Sequence, residues 1–243
     1  MRTELRIVAA RGALPRIEAF GGLAARRTGP DRVHLIGTAA TPLGGDEIEV
    51  TVVVGAGARL TVRSVAATLA LPSTATPISV AHWSFEVDSG GWLDVDPEPL
   101  VVAGGARHQV RTTVRLAADA RLRLRERVQI GRAGEDVGAW RGDLIADLRT
   151  AEVVTPLLRH RLELGGGGAT DDALSAPRAL DSELCYPDDR RVEFVGTTSA
   201  RLPLAGGGSL FTSVGPTLAA LAPRGADPAP AAVPRSIAVA ATD

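Results

Sequence analysis

The chain has 243 residues, 45% of them hydrophobic and only 3% aromatic, with a formal net charge of −1. That balance belongs to a globular protein able to bury a core, as one sizeable domain or two small ones. No apolar run reaches the roughly 18 residues a spanning helix needs, Met1-Arg2-Thr3-Glu4-Leu5 lacks a signal-peptide core, and the arginines are scattered singly between apolar residues. Membrane and nucleic acid are therefore not expected as partners, and the cytosol is the expected compartment.

A single cysteine, Cys185, rules out an internal disulfide. Lysine is absent while alanine, glycine and arginine abound, which a high-GC genome accounts for without any special adaptation. With so few aromatics the core must be built from Val, Leu, Ile and Ala around the anchors Trp83, Phe85, Trp92 and Trp140.

Along the chain, Ile48, Val50, Val52 and Val54 alternate with Glu49 and Thr51, the pattern of a strand with one buried face. Gly55-Ala56-Gly57-Ala58 then supplies an unhindered turn, and Leu60 and Val62 resume the alternation. The same arrangement recurs around Gly90-Gly91, around Gly104-Gly105 and around Ala117-Ala120. Repetition of strand, small-residue turn and strand predicts an all-β fold, mainly β, of stacked antiparallel sheets built from repeated hairpins.

Residues 1 to about 150 read as nearly all β. Arg141 to Leu164 fits strands, although Thr155-Pro156-Leu157-Leu158-Arg159-His160-Arg161-Leu162 is also compatible with one or two helical turns. About two short helices are expected in the C-terminal third. One is capped by Asp171 or Asp172 and covers Leu174 to Ala176; the other follows Pro216 through Leu218 to Leu221 until Pro223 stops it. Residues 1–224 are expected to form a single domain, and the Ala/Pro-rich residues 225–243 a disordered tail.

Several motifs bear on function. Gly55-x-Gly57 follows an apolar strand, but Leu60 occupies the place of a third small residue and more strand follows, so it reads as a turn and not as a dinucleotide loop. His34, His82, His108 and His160 lie in separate segments with no metal-ligand spacing, and packing or surface roles are expected for them. Asp94, Asp96 and Glu98 alternate along one face and form either a ligand row for a hard cation or, as the simpler reading, a solvated outer face.

Glu126 is the most informative acid. Along Leu122, Leu124, Glu126, Val128 and Ile130 it is in phase with the apolar face, whereas Arg123, Arg125, Arg127 and Gln129 share the other. A carboxylate on a buried face is costly unless paired or wet, so it is either a structural ion-pair partner or a functional acid. No Gly-x-Ser-x-Gly or other nucleophile signature is present, and no catalytic role is expected.

Four segments in order resemble the urease accessory protein UreD family, called UreH in some bacteria. They are Gly44-Gly45-Asp46 entering a strand; Gly55-Ala56-Gly57-Ala58 continuing to Ala66-Ala67-Thr68; Trp92-Leu93-Asp94-Val95-Asp96-Pro97-Glu98-Pro99-Leu100; and Gly131-Arg132-Ala133-Gly134-Glu135 ahead of Trp140-Arg141-Gly142. The resemblance covers about residues 30 to 165. Arg63-Ser64-Val65 and Asp94 depart from the family pattern, and the C-terminus lacks its typical closing segment.

The resemblance implies a mainly β scaffold, with two late helices, that binds accessory protein F, recruits the GTPase accessory protein G and docks on apo-urease. Nickel would pass through it to the urease active site along an internal water-filled tunnel, with no stably bound cofactor. On that view Glu126 and Asp46 are the candidate acids on the nickel path. A β-rich module binding carbohydrate, or an adhesin, is the alternative from another class.

Overall fold

The structure, a computed structural model, describes residues 1–135, 137–150, 152–166, 176–188 and 195–221. Its strands are β1 (Arg2–Ala9), β2 (Arg16–Phe20), β3 (Leu23–Gly29), β4 (Arg32–Gly37), β5 (Glu47–Val54), β6 (Arg59–Ser64), β7 (Thr68–Ala70), β8 (Ile78–Val87) and β9 (Trp92–Val95). There follow β10 (Leu100–Val102), β11 (Arg107–Ala117), β12 (Arg121–Ile130), β13 (Ala139–Arg149), β14 (Val154–Gly165), β15 (Ala179–Tyr186), β16 (Ser199–Pro203) and β17 (Ser209–Gly215).

They form two facing sheets. One has seven strands in the order β14-β13-β11-β8-β5-β1-β2; the other has ten, along the path β16-β17-β15-β12-β9-β6-β4-β3 with β7 and β10 beside it.

The small-residue turns do not close hairpins. Across Gly55–Ala58 the chain leaves β5 in the first sheet and enters β6 in the second, and the turns before β9 and β12 make the same crossing. Each crossing lets the apolar rows of the two strands face one another across the core. Successive windings then stack in parallel: β1 on β5, β5 on β8, β8 on β11 and β11 on β13 in one sheet, β4 on β6, β6 on β9 and β9 on β12 in the other.

The expected antiparallel hairpin stack is thus corrected to a solenoid-like stack of parallel windings, with antiparallel pairs at β1–β2, β3–β4, β13–β14, β12–β15, β15–β17 and β16–β17. The windings begin at Glu47, Ile78, Arg107 and Ala139, about thirty residues apart, within the range of repeat architectures.

The expected helices are also corrected. The segment after Pro216 makes one 3-10 turn, Leu218–Ala220, with no side-chain cap at Thr217 and extended backbone at Leu221. A segment bounded so closely by Pro216 and Pro223 is too short to repay helix nucleation. Leu174 and Ser175, at the heart of the other expected helix, lie outside the described residues, and Ala176 has a positive φ of 48°. Thr155–Leu162, open between strand and helix, lies within β14. The expected tail, 225–243, is also outside the described residues.

The core runs between the sheets through Leu5, Ile7, Val50, Val52, Phe85, Leu93, Val114, Leu116 and Val128. The Trp140-Arg141-Gly142 motif is explained by packing: a β-carbon on Gly142 would stand 2.3 Å from the Trp140 ring, so glycine makes the space the indole fills. In Gly131-Arg132-x-Gly134-Glu135, the Glu135 carboxylate accepts hydrogen bonds from the Arg132 guanidinium, from Arg132 N at 3.0 Å and from Gly104 N at 2.7 Å. The Arg132 side chain, with those two backbone donors, pulls the Glu135 pKa down to about 2. This motif is a clamp between two turns.

Candidate functional site

A break in the ladder creates the site. β9 pairs with β12 at Arg121–Leu124, and β10 pairs with it again at Val128–Ile130. Between them Asp96-Pro97-Glu98-Pro99 turns a corner, with two prolines that cannot donate to a ladder. One winding earlier, Val65–Ala67 makes the same corner between β6 and β7. Opposite these corners the sheets leave a partly open cavity of about 530 Å³, with Phe85, Trp83, Val110 and Leu124 among its mainly apolar walls and the exposed Val65, Ala66 and Ala67 also lining it. Two of the segments that carry the family resemblance thus build the cavity wall.

Glu126 sits at the break and lines this cavity, with Ser182 beside it on β15. It makes no hydrogen bond or ion pair among the described residues. Its side chain is half-buried, but its carboxyl is surrounded by protein atoms, and that desolvation without a partner pushes its pKa up to about 7. The structural ion pair open to this acid has no partner among the described residues, and its carboxylate lines the cavity.

The opposite face of β12 explains how such a group is kept there. Arg125 grips Asp181 with two hydrogen bonds of 2.8 and 2.7 Å; Arg123 donates to Asp94 at 3.1 Å and to the fully buried Glu183 at 3.0 Å. Arg127 donates to Asp96 at 3.1 Å and to the Pro97 carbonyl at 2.7 Å, and Arg63 and Arg201 extend the network to Asp94 and Glu183. A one-residue slip of β12 would bury these guanidinium groups in the apolar core, so the network fixes the register that turns Glu126 inward. Asp94 and Asp96 lie on an outer face, but guanidinium groups occupy them and cover Asp94, where simple solvation was expected. Glu98, the third of that row, lines the cavity and donates its backbone N–H to Ser64 Oγ at 2.9 Å.

Asp46 has a different setting. It is buried, and its carboxylate accepts from the Met1 ammonium, from Thr41 Oγ1 at 2.8 Å and from Leu43 N at 2.9 Å. Burial alone would raise its pKa, but these donors outweigh it and hold the carboxyl below the usual carboxylate value. It does not line the cavity; Thr41 and Pro42, which its contacts position, do.

Sequence alone assigns the histidines to packing or to the surface, yet His108 lines the cavity. Its Nδ1 is hydrogen-bonded to Ser79 Oγ at 2.9 Å, and burial lowers its pKa to about 4, so the ring is neutral. The available signal was its phase with Val110, Val114 and Leu116 on β11. His82 is exposed and His34 pairs with Thr28. Among the described residues no cluster of three or more His, Cys, Asp or Glu side chains could hold a metal ion, and no helix is long and apolar enough to cross a membrane.

The pKa of Glu126 makes a testable statement about stability. Its folded pKa of about 7 exceeds the ordinary 4.5, so between those pH values the folded state binds more protons than the unfolded one. Folding stability from this group is therefore full below about pH 4.5 and is lost as pH rises through about 7. Glu126→Gln is expected to be more stable than the wild type by on the order of 2–3 kcal/mol at pH 8, with the difference vanishing toward pH 4.5. Urea denaturation at both pH values checks this; a pH-independent difference would contradict the burial of the charge.

Together these features define a β scaffold with a partly open cavity between its two sheets and the Glu126 carboxylate in the cavity wall. The family model for the UreD urease accessory protein matches residues 5–186, and the chain belongs to that family. It is 40% identical over 196 residues to urease accessory protein UreD 1 of Saccharopolyspora erythraea, covering 79% of this chain and 75% of that one. It is 42% identical over 205 residues to UreD of Frankia alni, covering 75% and 67%, and 35% identical over 213 residues to UreD of Streptomyces avermitilis, covering 84% of each. The family consists of urease accessory proteins and not of enzymes, which sets aside the carbohydrate-binding or adhesin reading.

Proposed function

We propose that this chain is a scaffold and conduit in urease maturation. With accessory proteins F and G it docks on apo-urease in the cytosol, and nickel moves through its interior to the urease active site without being held stably. The observation that carries this reading is Glu126, a carboxylate with no partner among the described residues, in the wall of a cavity otherwise mostly apolar. A fully paired carboxylate would be structural, whereas an open one offers a passing cation a stop from which it can leave again.

Asp46 acts indirectly in this reading. Its oxygens are engaged by Thr41 and Leu43, and it holds the rim through which the cation passes. Co-expression of urease with its other accessory proteins, with and without this chain, tests the assignment. Urease nickel content and activity are expected to fall to background without the chain, and full loading in its absence would contradict the role.

A further inference from the structure

The unpaired acid is not the sole open donor in the cavity. His108 is only 3% exposed, and its Nδ1 is engaged by Ser79 Oγ. Its Nε2 makes no hydrogen bond among the described residues, and it is not among the buried polar atoms closed off without a partner, which are Arg127 Nε, Trp140 Nε1 and Arg149 Nε. A ring so buried whose second nitrogen still meets open space must meet it inside the protein, and the space it lines is the cavity of Glu126. Serine on Nδ1 also fixes the ring orientation, as partners of metal-binding imidazoles do.

We infer that His108 Nε2 is a second, separate stop for a divalent cation of borderline softness, Ni²⁺ in the first instance, on the path that Glu126 shares. The inference rests on the conduit reading above and adds to it a donor of different chemistry. Imidazole suits nickel better than carboxylate alone.

The topology makes the two stops successive and not chelating. β11 and β12 run back from one shared turn at Ala118–Ala120, and counting outward from it puts Thr112 as far from the turn as Glu126, and His108 as far as Ile130. His108 is therefore about four residues, roughly 13 Å, further along the wall than Thr112. Thr112, Ser182, Arg125, Arg127 and Glu98 also line the cavity, the two guanidinium groups being engaged by Asp181, Asp96 and the Pro97 carbonyl. One strong ligand at each stop favours transfer over storage, because an ion held by a single protein donor keeps most of its water.

The test uses the full chain with His34, His82 and His160 replaced by Gln, so that His108 is the sole histidine and remains untouched. The imidazole is labelled with ¹⁵N and Ni²⁺ alone is titrated, with Mg²⁺ as the hard-cation control. Expected is paramagnetic loss of the His108 ring resonances with Ni²⁺ and no change with Mg²⁺. In the same background Glu126→Gln is expected to leave that loss intact at saturating Ni²⁺. Ring resonances that persist unshifted while Ni²⁺ broadens other signals of the chain would overturn the inference, as would equal effects of the two cations. Neither outcome bears on whether urease maturation depends on the chain, so the two readings can fail separately.

Discussion

Glu126→Gln is expected to lower the nickel content of co-expressed urease by at least about tenfold, the scale of effect when a metal-contacting group is lost. The same substitution stabilises the chain at pH 8, because the buried charge disappears and no ion pair among the described residues disappears with it. Gain of stability with loss of function is the signature of an acid kept for what it does and not for what it holds. Glu126→Asp, which keeps the charge on a shorter arm, is expected to recover part of the loading. Pull-down of urease with the variant separates the explanations: an intact complex with nickel-poor urease is the expected result, and unchanged nickel loading removes Glu126 from the path.

The outer network predicts the opposite behaviour for Glu183→Ala. Glu183 is fully buried and accepts from Arg123 at 3.0 Å and Arg201 at 3.3 Å. Removing it leaves guanidinium charge facing a low-dielectric space, a change that costs about 3–5 kcal/mol when a buried pair is broken from one side. The variant is expected to lose stability at every pH where carboxylates are ionised, measured by urea denaturation at pH 7. A loss below about 1 kcal/mol would show the network to be a surface feature of the kind that contributes little. The same slackening of β12 should expose Glu126 and lower its pKa toward the ordinary value, an independent readout by carboxyl-resolved NMR.

The alternation Ile48, Val50, Val52, Val54 and the phase of Glu126 among Leu122, Leu124, Val128 and Ile130 were legible in the sequence, since period-2 burial depends only on which residues face the core. How the strands pair was not legible. A turn such as Gly55–Ala58 has the same composition whether it closes a hairpin or carries the chain to the opposite sheet, and the choice is made by partners thirty or more residues away.

The helix expected after Pro216 had a plausible start and stop but too few residues between them. At the site, Glu126 could be found because a charge on an apolar face is conspicuous. His108 could not, because a histidine on such a face is an ordinary packing residue until its open nitrogen is seen. Asp46 stands before a strand like any entry residue, and only the hydrogen bonds from Thr41 and Leu43 show how fully its carboxylate is engaged.

The most direct test of the central claim, that cargo crosses the interior of this chain, is to plug the cavity without touching either donor. Thr112 lines it on the wall formed by β11, and Phe at this position adds an apolar ring at the cavity wall. The nickel content of urease matured with Thr112→Phe is the quantity to measure, alongside recovery of the complex. The account predicts an intact complex and urease largely lacking nickel; wild-type loading through the plugged chain would contradict passage through the cavity.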